Sequence, residues 1–233
     1  MEEKKSLTAE EFRSTLRGLS SESYREFHAG LLPGTEKIMG VRVPELRKLA
    51  RQVAKGDWQS FLSLPDEGWY EEIMVKGMVI GYASMDRERR MQELDAFVPR
   101  IDNWAVCDCC ASTCKFIQKD REAWYPWLLE KRNQGTEFSI RFAVVALMDY
   151  YTDETWLEQL LEIYGGIRHE AYYVKMGVAW AVSLCYVRFP ERTEEWLKEQ
   201  HLDVTTHNMA VQKIRDSRRV SREKKEELKA LKR

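Results

Sequence analysis

Apolar residues recur along this chain at intervals of three and four, the spacing of one face of an α-helix. In the segment that follows Pro44, Leu46, Leu49 and Val53 are separated by three and then four residues, which places them on one side of a helix. The alternation of Val, Ile and Thr that is typical of β-strands is nearly absent. The pattern therefore predicts an all-α protein.

Residues that favour helix ends divide this pattern into segments. Thr8 and Glu11 have the spacing of a capping box, which predicts a helix over residues 8–19. The next helix begins near Ser21, and Leu31-Leu32-Pro33-Gly34 ends it. Gly40 permits a tight turn, and Pro44 is expected as the first residue of a helix that reaches about residue 55.

Beyond residue 56 the predicted helices come in pairs, one amphipathic and the next more apolar. Each pair takes about 35–40 residues, the size of a helical hairpin repeat. The predicted pairs are 57–64 with 69–84, 87–99 with 103–114, 121–132 with 137–151, 153–164 with 169–189, and 191–200 with 206–215, before a last helix at 221–231. Stacked pairs form an α-solenoid with a concave face, and an ordinary helical bundle is the alternative. No low-complexity linker interrupts the chain, so we expect one domain over residues 1–233.

The composition is that of a globular protein. Of the 233 residues, 44% are hydrophobic and 32% are charged, which excludes a largely disordered chain. No apolar run approaches the roughly 20 residues that cross a bilayer. The first five residues, Met1-Glu2-Glu3-Lys4-Lys5, lack the apolar stretch of a secretory signal. We therefore expect a cytoplasmic protein.

Four of the five cysteines lie close together, at Cys107, Cys109, Cys110 and Cys114. Two separated CxxC-type pairs, the usual arrangement of a zinc site, are missing. On a helix, the first, third and fourth of these cysteines share one face, and we expect them to be small buried apolar residues. A thiol nucleophile would need a basic partner, and the sequence offers no obvious one. We therefore expect neither a metal nor a cofactor.

The net charge of −1 hides two basic regions. The segment from Asn208 to Arg233 contains ten basic and four acidic residues, a local net charge of +6. A second basic group contains Arg42, Arg47, Lys48, Arg51 and Lys55. A charge run is most often a solvated helix face, so these groups indicate nucleic-acid binding only together with other features.

The segment Asn103-Trp104-Ala105-Val106-Cys107-Asp108 carries the strongest chemical signal. Trp104 and Asp108 are four residues apart and share a helix face, where a ring and a carboxylate together attract a cation. Arg141 and Trp180, each within an apolar segment, are expected to join them on one surface.

Each of these residues also has a purely structural interpretation. Both tryptophans are typical packing residues, and Asp108 could pair with Lys115 or with Arg141. If Asp108 and Arg141 were both buried between helices, the interpretation as a functional site would fail.

With these residues in place, the chain resembles the AlkD-type DNA alkylation repair family, alkylpurine DNA glycosylases that are built from HEAT-like repeats. The resemblance extends from about Gly40 to Ser221. It rests on Met39-Gly40-Val41-Arg42-Val43-Pro44-Glu45-Leu46-Arg47, Asn103-Trp104-Ala105-Val106-Cys107-Asp108, Ile140-Arg141-Phe142-Ala143, Val178-Ala179-Trp180 and His207-Asn208-Met209-Ala210-Val211-Gln212-Lys213-Ile214-Arg215.

This resemblance implies a base excision repair enzyme that acts on cationic N3- and N7-alkylated purines in duplex DNA, without a metal or cofactor and without drawing the base into a pocket. Asp108 matches the catalytic aspartate and Arg141 the active-site arginine, while Trp104 and Trp180 match tryptophans that border the lesion. It implies contacts to the DNA backbone from basic residues, for which we select Arg42, Arg47, Lys48, Lys213, Arg215, Arg218 and Arg219. We expect a monomer whose partner is double-stranded DNA of any sequence.

The N-terminal region departs from the family pattern. Active members carry a long second helix with an aromatic residue that helps to embrace DNA, whereas here Ala29-Gly30-Leu31-Leu32-Pro33-Gly34-Thr35 interrupts that region. Tyr24 and Phe27 are the nearest aromatic candidates. Two other functions therefore stay open at this point: a non-catalytic DNA-binding repeat protein of the same family, and a helical repeat scaffold for a protein partner.

Overall fold

A computed structural model describes residues 7–233, and the described chain is helical throughout. It contains fourteen α-helices and three short 3-10 helices, and no β-strand occurs within the described residues. The all-α prediction is confirmed. The N-terminal residues Met1–Lys5, on which the expectation about a secretory signal rests, lie outside the described residues. In residues 7–233, every helix is too short or too polar to cross a bilayer.

The chain divides into two compact units, of which the first ends at Phe116 and the second runs from Ile117 to Arg233. The division falls at the start of a 3-10 helix, not at a polar or flexible linker. A single domain over residues 1–233 stays a prediction.

In the first unit, residues 7–116 form seven α-helices and one 3-10 helix. They are α1 (Ala9–Leu19), α2 (Glu22–Ala29), α3 (Val43–Lys55), α4 (Trp58–Leu62), α5 (Tyr70–Tyr82), α6 (Arg87–Phe97) and α7 (Trp104–Ala111), with a 3-10 turn at Val98–Arg100. Helix α5 packs against both α3 and α7, and its Met74, Val75 and Met78 are completely buried. The most buried helix of this unit therefore forms its centre.

Helix starts in this unit follow the predicted signals closely. The Thr8 hydroxyl accepts a hydrogen bond from the Glu11 amide at 3.2 Å, and the Glu11 carboxylate accepts one from the Thr8 amide at 3.0 Å. The predicted capping box is thus confirmed. Helix α3 begins one residue earlier than predicted, so Pro44 is its second residue.

A buried carboxylate shapes the turn before α3. Glu71 is fully buried, and its oxygens accept hydrogen bonds from the amides of Met39, Gly40 and Val41 at 2.7–3.2 Å. Gly40 has φ +90°, and a Cβ there would lie 2.6 Å from the Ser21 carbonyl oxygen. The tight turn predicted at Gly40 is therefore confirmed, and close packing excludes any side chain there.

The second unit contains the remaining seven α-helices. They are α8 (Arg121–Asn133), α9 (Glu137–Tyr151), α10 (Leu157–Gly166), α11 (Tyr172–Arg188), α12 (Pro190–Lys198), α13 (Val204–Asp216) and α14 (Arg222–Glu227), with 3-10 turns at Ile117–Lys119 and Leu228–Leu231. Helix α9 packs against α11, and α11 packs against α13. The second helices of successive pairs thus form a row, the arrangement of a helical repeat array.

Three predicted helices in this unit differ from the structure by three or more residues at one end. Helix α10 begins at Leu157, not at residue 153, because the Asp153 carboxylate accepts bonds from the amides of Thr155 and Trp156 and forms a turn. Helix α11 begins at Tyr172, not at residue 169, because His169 Nδ1 accepts a bond from the Ala171 amide. The last predicted helix ends at Glu227 and continues only as a 3-10 turn.

Candidate active-site residues

Trp104 and Asp108 lie one turn apart on α7, in the first unit. The helix begins at Trp104 because the Asn103 side chain accepts a hydrogen bond from the Val106 amide at 2.9 Å. Both residues are half-buried, whereas Ala105, Val106, Cys107, Cys110 and Ala111 are buried. The ring and the carboxylate therefore occupy the accessible face of an otherwise enclosed helix.

Two glycines set the position of α7 against α5. A Cβ on Gly77 would lie 2.3 Å from Cys110 Sγ, and one on Gly81 would lie 1.9 Å from Thr113 Oγ1. These distances are far below van der Waals contact, so only glycine allows the two helices to approach so closely. The backbone that carries Asp108 is therefore seated on the most buried helix of the unit.

The indole of Trp104 is tied to the segment that follows α2. Its Nε1 donates a hydrogen bond to the Leu31 carbonyl oxygen at 3.0 Å. Leu31 in this segment is 45% exposed, and Phe27 near the end of α2 is 63% exposed. The short N-terminal segment therefore fixes the orientation of the tryptophan ring, and it places two exposed apolar side chains in the same part of the unit.

Tyr24, one of the two candidate aromatic residues, packs against a cation. The Arg42 guanidinium lies 4.8 Å from the centre of the Tyr24 ring, and the Tyr24 ring also stacks on the His28 ring at a centroid distance of 5.2 Å. Arg42 itself is exposed and directly precedes α3. This arrangement holds the Arg42 charge at the surface of the unit.

Arg47 and Lys48 are neighbours on α3 but differ in their surroundings. Lys48 is exposed, as a phosphate-binding residue should be. Arg47 is half-buried, and it donates hydrogen bonds to the Tyr82 hydroxyl and to Ser112 Oγ, both at 3.1 Å. Arg47 is thus engaged with α5 and with the end of α7.

The cysteines of α7 and of the turn after it fall into two classes. Cys107, Cys110 and Cys114 are at most 1% exposed, which confirms that they are buried apolar residues. Cys109 is only half-buried. Burial raises the pKa of its thiol, and the nearby Arg47 charge opposes that rise only in part. A basic neighbour of a cysteine therefore exists, but no local pattern indicates it, because Arg47 lies far from Cys109 in the chain.

Arg141, in the second unit, is the most enclosed of the candidate residues. It is 4% exposed on α9, and its Nη1 donates a hydrogen bond to the Tyr173 carbonyl oxygen at 2.7 Å. Its guanidinium also lies 5.8 Å from the centre of the Tyr173 ring. Of the two residues whose joint burial would argue against a functional site, Arg141 is buried and Asp108 is only half-buried.

Trp180 is 38% exposed, although its neighbours Ala179 and Ala181 on α11 are buried. It lines a cleft together with Ser183, Leu184, Val187, Lys213, Asp216, Ser217 and Arg219. The partly exposed indole therefore lies in a cleft with two cationic side chains and one carboxylate, Asp216. Its role as a site residue stays a prediction.

The remaining basic candidates differ in how freely they face solvent. Arg218 and Arg219 are exposed, and Lys213 is half-buried at the cleft. Arg215 donates to the Lys225 carbonyl oxygen at 2.9 Å and to Gln212 Oε1 at 3.2 Å. Part of the hydrogen-bonding capacity of Arg215 thus holds the segment after α13.

The predicted residues fall into two groups. Trp104, Asp108 and the basic residues of α3 belong to the first unit, whereas Arg141, Trp180 and the basic residues from Lys213 onward belong to the second. In the second unit, Trp180 lines a cleft with Lys213 and Arg219; in the first, Arg42 lies over the ring of Tyr24. That the two groups form one site stays a prediction.

Comparison with known proteins gives one match. The family model described as DNA alkylation repair enzyme matches residues 12–220, which covers all but the ends of the chain. No curated protein and no solved structure matches this chain.

Proposed function

The chain belongs to the DNA alkylation repair enzyme family, and from this premise we propose that it is a DNA glycosylase for cationic N3- and N7-alkylated purines in duplex DNA. Membership of the family gives the chain a role in DNA repair. The proposal adds the reaction, hydrolysis of the bond between base and deoxyribose, which is the first step of base excision repair. It also adds that the chain acts as a monomer, without a metal or cofactor.

The observation that carries the proposal is the pairing of Trp104 with Asp108 on the accessible face of α7. A half-buried carboxylate beside an indole stabilises positive charge more strongly than a solvated carboxylate, because less water screens it. Positive charge is the feature shared by an alkylated purine and by the sugar from which it departs. The site therefore suits a reaction whose transition state is cationic.

The proposed reaction needs little acid catalysis. Alkylation at N3 or N7 gives the purine a positive charge, so the base leaves as a neutral molecule with the electron pair of the glycosidic bond. The deoxyribose gains positive charge at C1′ as that bond lengthens, and Asp108 stabilises this charge. Asp108 also orients a water molecule, whose oxygen forms the new bond to C1′ and whose proton is released.

The tryptophans contribute through their ring faces. Cation–π attraction from Trp104 and Trp180 is worth about 0.5–2 kcal/mol for each ring. Because the Trp104 N–H is already bonded to Leu31, the ring is held in one orientation before the substrate arrives. Such preorganisation lowers the cost of reaching the transition state.

The basic side chains hold the DNA backbone in the proposal. Exposed Arg42, Lys48, Arg218 and Arg219 are suited to direct phosphate contacts. Arg141 is buried, so its charge favours a nearby phosphate mainly through the electrostatic field. No base edge is read, and binding is therefore expected to be independent of sequence and sensitive to salt.

The test is release of 7-methylguanine and 3-methyladenine from methylated duplex DNA. We expect wild type to release both bases, and Asp108→Asn to reduce the rate by a factor on the order of 100–1000 with nearly unchanged duplex affinity. Asp95→Asn is the matched control, since it removes the same charge from an exposed position on α6 of the same unit. Equal release by wild type and Asp108→Asn would refute the role of Asp108.

One structural observation favours a second function, DNA binding without catalysis. Helix α2 has only eight residues, and Gly30 follows it, so the aromatic helix that embraces DNA in active members is short here. This alternative predicts tight duplex binding with no base release by wild type. In that outcome, a variant with a longer α2 is the one to test for base release.

A further inference from the structure

Arg47 is connected to two other helices of the first unit. Its Nη1 donates to the Tyr82 hydroxyl at the end of α5, and its Nη2 donates to Ser112 Oγ at the end of α7, each at 3.1 Å. The two terminal nitrogens of the guanidinium are thus directed into the unit, and the side chain is half-buried. We call Arg47, Tyr82 and Ser112 the α7 clamp.

The clamp acts on the turn of α7 that contains Asp108. Ser112 is the C-cap of the helix, and its amide donates to the Asp108 carbonyl oxygen at 3.0 Å. The Ser112 hydroxyl also donates to the Cys109 carbonyl oxygen at 2.9 Å. Arg47 therefore holds the residue that closes the last turn of the catalytic helix, one hydrogen bond away from the Asp108 backbone.

The position of the charge strengthens this arrangement. The last carbonyl groups of a helix carry partial negative charge, and a cation near them is stabilising by about 0.3–1 kcal/mol. A half-buried guanidinium held by two hydrogen bonds also loses little additional entropy when DNA binds. Lys48, the next residue, has neither contact and is exposed, so the two neighbouring cations have different surroundings.

We infer that Arg47 is a positioning residue for Asp108, and that its main contribution is to the geometry of catalysis and not to the affinity for DNA phosphates. The inference rests on the proposed glycosylase function for its catalytic consequence. Its structural part, that Arg47 fixes the last turn of α7, is independent of that function.

The kinetic test compares Arg47→Met with Lys48→Met. For Arg47→Met we expect the single-turnover rate of base release at saturating enzyme to fall by roughly 10–100-fold, with little change in Kd or in its salt dependence. For Lys48→Met we expect weaker binding and a salt slope smaller by about 0.9. Tyr82→Phe and Ser112→Ala each remove one partner of Arg47 and should each lower the rate by a smaller factor. Arg17→Met, at an exposed position on α1, controls for the loss of one positive charge.

The reactivity of Cys109 gives a second measurement that needs no catalysis. Cys109 is the half-buried cysteine of α7, while Cys107, Cys110, Cys114 and Cys185 are buried. If Arg47 fixes this turn, Arg47→Met should speed the reaction of the Cys109 thiolate with iodoacetamide, as located by peptide mass spectrometry, and Arg17→Met should not. The rates are compared per thiolate, from pH–rate profiles, because loss of the Arg47 charge by itself raises the pKa of this thiol and slows alkylation.

The two measurements separate the possible failures. If wild type releases no base but Arg47→Met still exposes Cys109, the proposed function falls and the positioning role of Arg47 stands. If Arg47→Met instead weakens DNA binding and lowers the salt slope by about 0.9, with a normal rate at saturation and unchanged Cys109 reactivity, Arg47 is a phosphate contact and the inference is overturned.

Discussion

Replacement of Gly81 by alanine tests the close packing that seats α7 on α5. The added Cβ would lie 1.9 Å from Thr113 Oγ1, 2.5 Å from Thr113 Cβ and 3.0 Å from the Thr113 carbonyl carbon. Thr113 is buried, and its hydroxyl donates to the Cys110 carbonyl oxygen at 2.6 Å. A β-branched side chain at a buried position has few other rotamers, so α5 and the turn that follows α7 must separate.

Three contributions determine the size of the effect. Overpacking of a buried contact costs about 1–3 kcal/mol, and weakening of the Thr113 hydrogen bond adds about 1 kcal/mol. The higher helix propensity of alanine offsets about 0.8–1 kcal/mol. We therefore expect Gly81→Ala to lower the free energy of unfolding by about 1–3 kcal/mol, and to lower Tm by about 2–4 °C for each kcal/mol.

Thermal and urea unfolding measure this change directly, and Gly18→Ala is the matched control. Gly18 lies in α1 of the same unit, and a Cβ there would have no atom within 4 Å. The control should gain up to about 1 kcal/mol from helix propensity alone. A Tm for Gly81→Ala equal to or above that of wild type would refute the packing argument.

Three further predictions concern pH, a buried carboxylate and salt. Burial lowers the pKa of His28 below 6.5, against an opposing effect of Glu71, so the unfolded chain takes up a proton at a higher pH than the folded chain does. The stability contribution of His28 should therefore be complete above pH 6.5 and fall as the pH drops below it. Urea midpoints measured for His28→Phe across this range should show less of this loss. Glu71→Gln should lower the free energy of unfolding by roughly 2–3 kcal/mol, because the Glu71 carboxylate oxygens accept hydrogen bonds from three backbone amides. Glu36→Gln, at an exposed position, should have little effect in the same urea titration. The affinity for an unmodified duplex, measured by fluorescence anisotropy, should fall at least about tenfold between 50 and 200 mM salt; salt-independent binding would instead favour a protein-interaction scaffold.

The sequence predicts those parts of the fold that depend on neighbours in the chain. The capping pattern at Thr8 and Glu11 and the tight turn at Gly40 are local, and the structure has both. Predicted helix starts were wrong where a side chain offers the backbone another partner, as Asp153 and His169 do. The competition between a helix and such a turn depends on a balance of about 1 kcal/mol, which periodicity does not reveal.

The same distinction applies to the candidate site. Trp104 and Asp108 are four residues apart, so helix geometry alone indicates that they share a face. Arg47 and Ser112 are 65 residues apart in the chain, and no local pattern connects them. The burial of Arg141 likewise follows from packing among α9 and α11, so the sequence showed only that a charge lies in an apolar segment.

The most direct test of the central claim uses a duplex that carries a single 7-methylguanine, mixed with excess wild-type protein. We predict that free 7-methylguanine appears in solution and that the strand acquires an abasic site, which alkali then cleaves at that position. The contrary result is a duplex that the protein binds but from which 7-methylguanine is lost only at the spontaneous rate measured without protein. That result would contradict the assignment of this chain as a glycosylase.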